Sequence, residues 1–396
     1  MNIIHNIFTV GPGSFGLGSV ALSLCREQNS LGNHAAIWCT DSDADVHWAE
    51  LSANLPPEKI FRFPYVGPKA LRYSPAMARA AAGPEGRNVD IIHQHSLWLA
   101  NSRITSYLHK KRNVPFVLAP HGALELWALQ RSSWKKRIVM PLYESGNLRN
   151  ASCFHALSEQ EIGGVRDFGL RNPIAVIQNG ISQFWLDSEG DSSAFRSKFN
   201  INSDKRIVLY LSRITPIKGI PLLIEALALI REKLTDWIFV LAGADEFDHL
   251  REIQAAVKKH NLDNHVVFTG LLVDQTKRDA YAAAELFVLP TKREAAPVVV
   301  LEALGAGVPV ITTKGAPWES LVTHQCGWWV DVDSGAIAEA LKDAMSCAPD
   351  ELRRMGERGK ELVAARFTWT NSAQMTIELY EWLLNCRERP DFVVVD

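Results

Sequence analysis

The chain has 396 residues, of which 47% are hydrophobic and 22% are charged, and its formal net charge is −2. This length allows two domains with separate cores, and the composition excludes a disordered or collagen-like chain. A net charge so close to zero argues against a general nucleic-acid-binding protein.

The six cysteines are scattered and form no C-x-x-C pair, so they indicate neither a zinc site nor a dithiol redox motif. We interpret them as free thiols of a reducing compartment. The N-terminal MNIIHNIFTVGPG has no basic segment before its apolar run, which favours a first strand over a signal peptide. No stretch approaches the roughly 20 apolar residues of a membrane span. We therefore expect a cytoplasmic protein, with contact at the inner face of the membrane as an open alternative.

The first half of the chain alternates apolar, strand-like runs with segments of helical periodicity. The strand-like runs are IIHNIFTV, HAAIWCT, VDIIHQH, PFVLAPHG, ASCFHALS and IAVIQNG, and VALSLCREQNSLG after the first of them has helical spacing. Each run ends in polar or small residues. This alternation predicts a doubly wound parallel sheet, whose ligands bind at the carboxyl ends of the strands.

The second half repeats this pattern with the strand-like runs RIVLYLS, WIFVLAGA, HVVFTGLL, ELFVLPT, PVITT and WWVDV. Amphipathic segments such as GIPLLIEALALIREKL predict the helices between them. The polar segment ISQFWLDSEGDSSAF predicts a junction between two Rossmann-like α/β domains, residues 1–182 and 183–372. We expect these domains to face a deep cleft, and the last helix, in residues 373–396, to return to the N-terminal domain.

Two glutamates flank the run AAPVVVL. Glu294 follows the strand-like ELFVLPT, and Glu302 lies in the helical segment after it. Both carboxylates are therefore expected at one crevice at the edge of the sheet, where one can hold a sugar hydroxyl and the other a ribose.

A cationic pair, Arg213 and Lys218, follows the strand-like RIVLYLS. Arginine offers phosphate a planar fork and lysine a compact charge, and a helix beginning at Lys218 would add its dipole. On their own, most pairs with this spacing are ordinary surface cations of a solvated loop. Together with the two glutamates, they predict a site for a nucleotide diphosphate sugar.

The first half contributes two further candidates. The loop GPGSFGLGS contains Gly16, where a backbone without Cβ can approach a phosphate, although a tight strand-to-helix turn explains it as well. Its spacing is not the dinucleotide fingerprint, so NAD binding is only weakly supported. His121 follows PFVLAP at the predicted end of a strand, where it suits either a polar ligand or hydrogen-bonded packing.

Several metal-like patterns are better explained without a metal ion. His93 and His95 have the spacing of a ligand pair, but we expect no third ligand beside them. We interpret the acidic residues Asp41, Asp43 and Asp45 as a solvated loop, and the same holds for Asp331–Asp333.

The basic segments KKR at 110–112 and RSSWKKR at 131–137 form a separate feature, with Trp134 inside the second. A basic and aromatic face of this kind can contact anionic lipid. A solvated helix face is the alternative for each segment.

The segments SRITPIKG, EAAPVVVLE, PHG and IQNG, with the glycine-rich first loop, resemble glycosyltransferase family 4 over nearly the whole chain. Members of that family are retaining, nucleotide-sugar-dependent enzymes with the GT-B fold. DIIHQHSLW, PHGALELWAL and KGAPWESLVTHQCGWWVD are most similar to bacterial members that build exopolysaccharide or lipopolysaccharide.

The resemblance implies that Glu294 holds hydroxyls of the donor sugar and Glu302 the nucleotide ribose. It also implies that Arg213 and Lys218 bind the diphosphate, that Gly16 approaches the donor phosphate, and that His121 lies near the reacting sugar. The family often carries E-G-F-G after the first acid, where this chain has Glu294-Ala295-Ala296-Pro297. Because proline has no N–H group, a phosphate contact there would come from Val298 or Val299.

The resulting hypothesis is a metal-independent transfer of a hexose with retained configuration and without a cofactor. The expected partners are a nucleotide-sugar donor and a glycan or polyprenyl-diphosphate-linked acceptor of surface polysaccharide synthesis, and no nucleic acid. Two alternatives stay open. One is a nucleotide-sugar epimerase of the GT-B fold, and the other is a non-enzymatic sugar-binding protein of two domains.

Overall fold

The structure is a computed structural model that describes residues 1–11, 16–41, 55–69, 71–125, 128–129, 133–187 and 189–395. Asp43 and Asp45 of the predicted acidic loop lie outside these residues. The described chain forms two compact units, one of Met1–Asn179 with Trp369–Asp396 and the other of Gly180–Thr368. None of the helices in these ranges has the length and apolar character needed to cross a membrane.

A parallel sheet forms the centre of the first unit. Its strands are β1 (Asn2–Asn6), β2 (His34–Cys39), β3 (Ile60–Arg62), β4 (Ile91–His95), β5 (Phe116–Ala119), β6 (Cys153–Ala156) and β7 (Ile174–Val176). Their order in space is β7-β6-β5-β4-β1-β2-β3. Strands β1 to β3 are added toward one edge of the sheet and β4 to β7 toward the other. The strand order therefore reverses between β1 and β4, where Ile3 is paired with Ile91 and Asn6 with Gln94.

Helices follow most of these strands, as parallel connections require. They are α1 (Leu17–Ser30), α2 (Pro75–Ala82), α3 (Asn101–Arg112), α4 (Ser133–Val139), α5 (Ser145–Asn150) and α6 (Glu159–Asp167). Helix α2 begins after Ser74, whose hydroxyl accepts a hydrogen bond from the Met77 N–H at 3.2 Å. A single π-helical turn, Met140–Glu144, joins α4 to α5.

The second unit has the same architecture. Its elements are α7 (Gln183–Asp187), α8 (Ser192–Lys198), β8 (Arg206–Leu211), α9 (Ile220–Leu229), β9 (Trp237–Ala242), α10 (His249–Lys259), β10 (Val266–Gly270), α11 (Asp274–Ala283), β11 (Leu286–Leu289), α12 (Val298–Gly305), β12 (Val310–Thr313), α13 (Ser320–Thr323), β13 (Gly327–Val330), α14 (Ser334–Ser346) and α15 (Pro349–Arg366). The parallel strands lie in the order β10-β9-β8-β11-β12-β13. The reversal falls between β8 and β11, where Val208 is paired with Leu286.

The end of the chain belongs to the first unit. Helix α16 (Trp369–Leu383) packs against α1 through a buried cluster formed by Val20, Leu24, Trp369 and Ala373. Strand β14 (Val393–Val394) then adds to the sheet antiparallel to β7. This packing brings Tyr380 of α16 under the sheet, where its side chain is fully buried.

The doubly wound α/β class predicted from the sequence is confirmed, and the strand-like runs form strands. The predicted helix GIPLLIEALALIREKL was too long, since α9 ends at Leu229 and a 3-10 turn follows over Arg231–Lys233. Hydrogen bonds from Lys233 to Ile230 and from Leu234 to Arg231 tighten that turn and allow the side chain of Leu234 to be buried. The sequence did not reveal β3 and β14, which are too short for a period-two pattern to emerge.

Candidate functional site

Two loops meet at the point where the strand order of the second unit reverses. The N–H of Lys292, after β11, donates to the carbonyl oxygen of Ile217, after β8, at 2.8 Å. Gly219 has a φ of +71°, and a Cβ on it would lie 1.9 Å from the carbonyl oxygen of Pro290. Glycine is therefore needed at 219 for this close approach, which fixes Lys218 beside the loop that carries Glu294.

Lys218 and Glu294 form an ion pair at this point. Lys218 Nζ lies 2.5 Å from Glu294 Oε2, and the lysine side chain is 7% exposed against 23% for the glutamate. The Glu294 N–H donates to the carbonyl oxygen of Gly315 at 2.7 Å, and Gly315 is packed too closely against Thr291 to carry a Cβ. Glu294 is thus held at the carboxyl edge of the sheet by its backbone N–H and by its carboxylate.

Arg213 lies on the same edge but has another partner. Its Nη1 lies 2.9 Å and 2.8 Å from the two carboxylate oxygens of Glu246, and its side chain is 49% exposed. The buried hydroxyl of Tyr210 donates to the Arg213 carbonyl oxygen at 2.9 Å. Burial raises the pKa of Tyr210 well above its usual value, the charge of Glu294 raises it further and the charge of Arg213 lowers it. Both charged groups therefore act on one hydroxyl at the end of β8.

Glu302 lies on α12, where it is 6% exposed. Its Oε1 accepts a hydrogen bond from Lys277 Nζ at 2.6 Å, and its Oε2 accepts one from the Tyr281 hydroxyl at 3.0 Å. Lys277 also lies over the ring of Trp185, with its Nζ 5.2 Å from the ring centroid. Burial and the neighbouring Glu302 charge raise the pKa of Tyr281 well above its usual value, so Tyr281 acts as a neutral donor.

Val298 and Val299 form the first turn of α12, directly after Pro297. The N–H groups of a first helical turn have no acceptor within the helix, and the helix dipole makes that end favourable for anions. The Tyr281 hydroxyl also lies 3.2 Å from the Val299 carbonyl oxygen and shares its one proton between that oxygen and Glu302, which ties this turn to α11. The helix that follows Ala295-Ala296-Pro297 thus begins with an exposed Val298 and a half-exposed Val299.

Gly16 and His121 lie in the first unit, apart in sequence from the six candidates of the second. Gly16 is the N-cap residue of α1 and has a φ of +93°, a left-handed conformation that suits glycine. The neighbouring Gly13 lies outside the described residues. His121 follows β5 with a φ of +50°, and its Nε2 lies 3.2 Å from Nδ1 of His95.

The loop at His121 is anchored by Glu161, which is 4% exposed. One carboxylate oxygen of Glu161 accepts a hydrogen bond from the Gly122 N–H and the other from the Leu157 N–H, both at 2.6 Å. Burial raises the pKa of Glu161 to about 7. A buried carboxyl group therefore joins the loops that follow β5 and β6.

His5, His93 and His95 are the described residues that could hold a metal ion, with one ligand atom of each within 4.8 Å of the others. The expectation that no third histidine lies beside the pair was wrong, because β1 and β4 are neighbours in register and His5 is paired with His93. Each ring nitrogen of the three histidines already has a hydrogen-bond partner. The rings of His93 and His95 are also stacked, with centroids 4.3 Å apart and planes at 27°, so their lone pairs do not converge.

Four polar residues of these sites were missed by sequence reasoning, namely Glu161, Glu246, Lys277 and Tyr281. Glu246 follows β9, and acidic residues at the end of a parallel strand are a usable signal. Lys277 and Tyr281 are four apart and share one face of α11, but helical spacing alone does not show which element that face contacts.

Comparison with known proteins identifies the family. Residues 15–180 match the glycosyl transferase 4-like domain, and residues 191–362 match the family described as glycosyl transferases group 1. Together, the two matches place the chain among the glycosyltransferases of the family-4 type. The two matches fall one on each half of the chain and leave only short segments uncovered.

The glycosyltransferase is 27% identical over 215 residues to an uncharacterised glycosyltransferase of Methanocaldococcus jannaschii, an alignment that spans 52% of this chain and 54% of that relative. It thus matches about half the length of that relative. Two solved structures share its fold, the GT-B fold. Sucrose-phosphate synthase from Thermosynechococcus elongatus has a TM-score of 0.75 at 22% identity, covering 98% of this chain and 100% of that one. Anabaena HepE, solved with UDP and glucose, has a TM-score of 0.75 at 20% identity, covering 96% and 100%.

Proposed function

We propose that this glycosyltransferase moves a hexose from a nucleotide diphosphate sugar to a hydroxyl group, with retention of the anomeric configuration and without a metal ion. The observation that carries this proposal is the Lys218–Glu294 pair at the reversal between β8 and β11. A cation and a carboxylate fixed side by side there match the two ends of such a donor. The lysine suits the diphosphate, and the carboxylate suits the hydroxyls of the sugar.

In the proposed reaction, the bond between the anomeric carbon and the diphosphate oxygen breaks and the acceptor oxygen bonds to that carbon. The acceptor hydroxyl gives its proton to the departing diphosphate. Negative charge grows on that leaving group, so Lys218 and Arg213 act where charge develops in the transition state. Lys218 is buried beside Glu294, and its interaction with a phosphate would be weakened little by solvent.

The proposed metal independence is supported by the same two cations. A divalent ion in this type of chemistry neutralises diphosphate oxygens, and two fixed positive side chains can supply that charge instead. Arg213 contacts both carboxylate oxygens of Glu246 through Nη1, and its side chain is 49% exposed, so a phosphate can approach it from the solvent. The N–H groups of Val298 and Val299 would add further donors to the same phosphates.

Glu302 is the proposed ribose site. Its carboxylate is buried and oriented by Lys277 and Tyr281, and carboxylate oxygens retain capacity for further hydrogen bonds from hydroxyl groups. His121 and Gly16 of the first unit are proposed to contact the donor sugar and phosphate, respectively. The structure of the relative HepE with UDP and glucose supports a nucleotide-sugar donor for this fold.

The proposed acceptor is a glycan or a polyprenyl-diphosphate-linked oligosaccharide of bacterial surface polysaccharide synthesis. It is supported by the resemblance of DIIHQHSLW and PHGALELWAL to enzymes of that class. A lipid-linked acceptor requires the enzyme to work at a membrane surface. We therefore propose that the enzyme acts at the inner face of the membrane.

The membrane contact that we propose is formed by α4 and the π-helical turn after it. Trp134, Ile138 and Leu142 are spaced four residues apart and are 63%, 52% and 71% exposed. Lys135 and Arg137 between them are also exposed, and the one acidic residue of 133–144, Glu144, is buried. Apolar side chains with cations between them favour an anionic lipid surface.

The test of the proposed reaction uses the whole chain with UDP-, GDP- and ADP-sugars. A donor at a hundredfold its Kd adds about 2.7 kcal/mol to the free energy of unfolding, so a thermal shift identifies the nucleotide and sugar. Turnover is then measured with and without acceptor and with EDTA. A glycoside product that requires acceptor and survives EDTA is expected. Conversion of the donor without acceptor would instead indicate an epimerase, and loss of activity in EDTA that a divalent ion restores would refute metal independence.

A further inference from the structure

A buried hydrogen-bonded network in the first unit involves five histidines. His5 lies on β1, His93 and His95 on β4, His155 on β6, and His121 follows β5. All except His121 are at most 2% exposed. Their hydrogen bonds form two branches that both reach α16 near Tyr380, and His121 is the end of one branch.

The first branch starts at a backbone carbonyl group. His155 Nε2 lies 2.8 Å from the Ile177 carbonyl oxygen, and His155 Nδ1 lies 3.1 Å from His93 Nε2. His93 Nδ1 is in turn 2.7 Å from the Tyr380 hydroxyl. A carbonyl oxygen only accepts hydrogen bonds, so His155 donates from Nε2 and must accept at Nδ1. His93 then donates from Nε2, and Tyr380 donates its proton to His93 Nδ1.

The second branch starts at Gln28 on α1. Its Nε2 donates to Thr376 Oγ1 at 2.9 Å and to the Tyr380 hydroxyl at 3.3 Å. The Thr376 hydroxyl gives its own proton to the Ala373 carbonyl oxygen at 2.8 Å, so it accepts from Gln28. This fixes the orientation of the Gln28 amide, whose Oε1 faces His5 Nε2 at 2.8 Å.

The order of donors continues from Gln28 to His121. His5 donates from Nε2 to Gln28, so its Nδ1 accepts from His95 Nε2 at 2.9 Å. His95 Nδ1 then accepts from His121 Nε2 at 3.2 Å. Each neutral imidazole has one N–H, so the order leaves the proton of His121 on Nε2 and a free electron pair on Nδ1.

The order holds only while the rings are neutral, and their surroundings favour that state. Burial lowers the pKa of His5 and of His155 to about 4 and that of His121 to about 3. Burial and the neighbouring histidines lower the pKa values of His93 and His95 well below the usual range. At neutral pH the network therefore contains no imidazolium group to supply an additional donor.

We propose that the Gln28–His5–His95 branch is a positioning device that fixes the tautomer of His121, so that Nδ1 accepts a hydrogen bond from a hydroxyl of the reacting sugar. This inference rests on the proposed function for the identity of that hydroxyl. The two nitrogens of an imidazole point in divergent directions, so Nδ1 faces away from His95. Without the branch, His121 would also populate the Nδ1–H form, which has no electron pair to offer there.

Three variants of the full chain separate this role from stability. His5→Leu removes the acceptor of the His95 proton. His5→Asn introduces a side chain of nearly the same shape as leucine but keeps an acceptor near the position of the former Nδ1. His155→Leu is the matched control, since it also replaces a fully buried histidine but lies in the branch that does not reach His121. The first measurement is the ¹⁵N spectrum of the His121 ring in the resting protein, assigned with a His121→Gln variant. The second is kcat and donor KM.

We expect His121 to be protonated at Nε2 in the wild type, in His5→Asn and in His155→Leu, and to show both tautomers in His5→Leu. His5→Leu should lower kcat about tenfold, the loss expected for one hydrogen bond, with a smaller effect on donor KM. An unchanged His121 tautomer in His5→Leu would overturn the proposed role of the Gln28–His5–His95 branch, whatever reaction the protein catalyses. Equal losses of kcat in His5→Leu and His155→Leu would show a merely structural role. If the tautomer of His121 shifts in His5→Leu while kcat does not change, the proposed contact between His121 and the sugar is wrong. If the wild-type protein shows no glycosyl transfer at all, the result counts against the proposed function instead.

Discussion

The ammonium group of Lys218 lies 2.5 Å from Oε2 of Glu294, although the two residues are 76 positions apart in the sequence. This pair joins the loops after β8 and β11 at the reversal of the strand order. In open α/β sheets that position forms the crevice in which ligands bind.

Replacement of Lys218 by methionine is expected to lower kcat by a factor of about 10² to 10³, the usual loss for one preorganised group that stabilises transition-state charge. Methionine keeps most of the side-chain volume, so the fold should survive with a loss of about 1–3 kcal/mol from the unpaired Glu294. Steady-state kinetics with a thermal melt measures both effects. Lys342→Met, on the surface of α14, is the control and should leave kcat unchanged. Near-normal turnover in Lys218→Met would remove Lys218 from the mechanism.

Arg213→Ala should separate activity from stability. The Arg213–Glu246 pair is half exposed on the arginine side, and exposed pairs contribute at most about 1 kcal/mol to the free energy of unfolding. Turnover should nevertheless fall by orders of magnitude, because the leaving diphosphate loses a cation. Glu246→Gln is the matched control, as it breaks the same pair and keeps the arginine. If both variants lose activity equally, the pair matters through the shape of the loop and not through the charge of Arg213.

Glu302→Gln is expected to raise the donor KM about tenfold or more, with a smaller effect on kcat, because ribose hydroxyls are not part of the bond change. The sharper test compares a donor with one that lacks the ribose 3′-hydroxyl. The wild type should discriminate against the deoxy donor, and Glu302→Gln should discriminate much less, since the group that binds the hydroxyl is altered. Full discrimination in the variant would place the ribose elsewhere. Lys277→Met should also weaken donor binding, because it leaves the buried Glu302 carboxylate without its cation.

Acid should destabilise the first unit. The histidines of the network have folded-state pKa values below the usual 6.5, so their stabilisation is present above pH 6.5 and is lost as the pH falls toward about 4. Two buried carboxyl groups oppose this effect, because burial raises the pKa values of Glu144 and Glu161 to about 7 and their stabilisation grows on acidification.

Unfolding lets the five histidines bind up to five protons and releases up to two from the carboxyl groups, a net uptake of up to three. The free energy of unfolding should therefore fall by at most roughly 4 kcal/mol for each pH unit of acidification. Hydrogen exchange of β1 and β4 should therefore accelerate between pH 6 and 4.5 relative to β8 and β11 in the same sample. His155→Asn should reduce that slope by about one proton. An equal pH response in both units would contradict the prediction.

The exposed apolar row on α4 gives a prediction about membranes. The full chain should float with vesicles that contain anionic lipid and less with neutral vesicles, and the difference should shrink in high salt. Trp134→Ser with Ile138→Ser should weaken flotation and leave the thermal melt unchanged. Phe247→Ser, which removes an apolar side chain that is 71% exposed from the second unit, is the control. Binding that does not depend on Trp134 and Ile138 would exclude this surface.

The sequence predicted most of the fold because each parallel strand is an apolar run bounded by polar or small residues. It did not reveal β3 and β14, which have three and two residues. The sequence made Lys218, Glu294 and Glu302 candidates because the first two follow strand-like runs and the third lies in the helical segment after one. Their partners were harder to find, since Glu246 and Lys277 come from other elements that only the sheet order brings near.

The sequence by itself determined the alternation of strands and helices, the reversal-point residues and the resemblance to a glycosyltransferase family, since these depend on local periodicity and on short motifs. Only the tertiary structure decided which charged groups are paired. Lys218 is paired with Glu294 and Glu302 with Lys277, while Arg213 turns to Glu246. It also showed that His5, His93 and His95 form one hydrogen-bonded network with Gln28 and Tyr380. Pairing between distant segments depends on strand order and helix packing, and a linear pattern of residue types does not specify it.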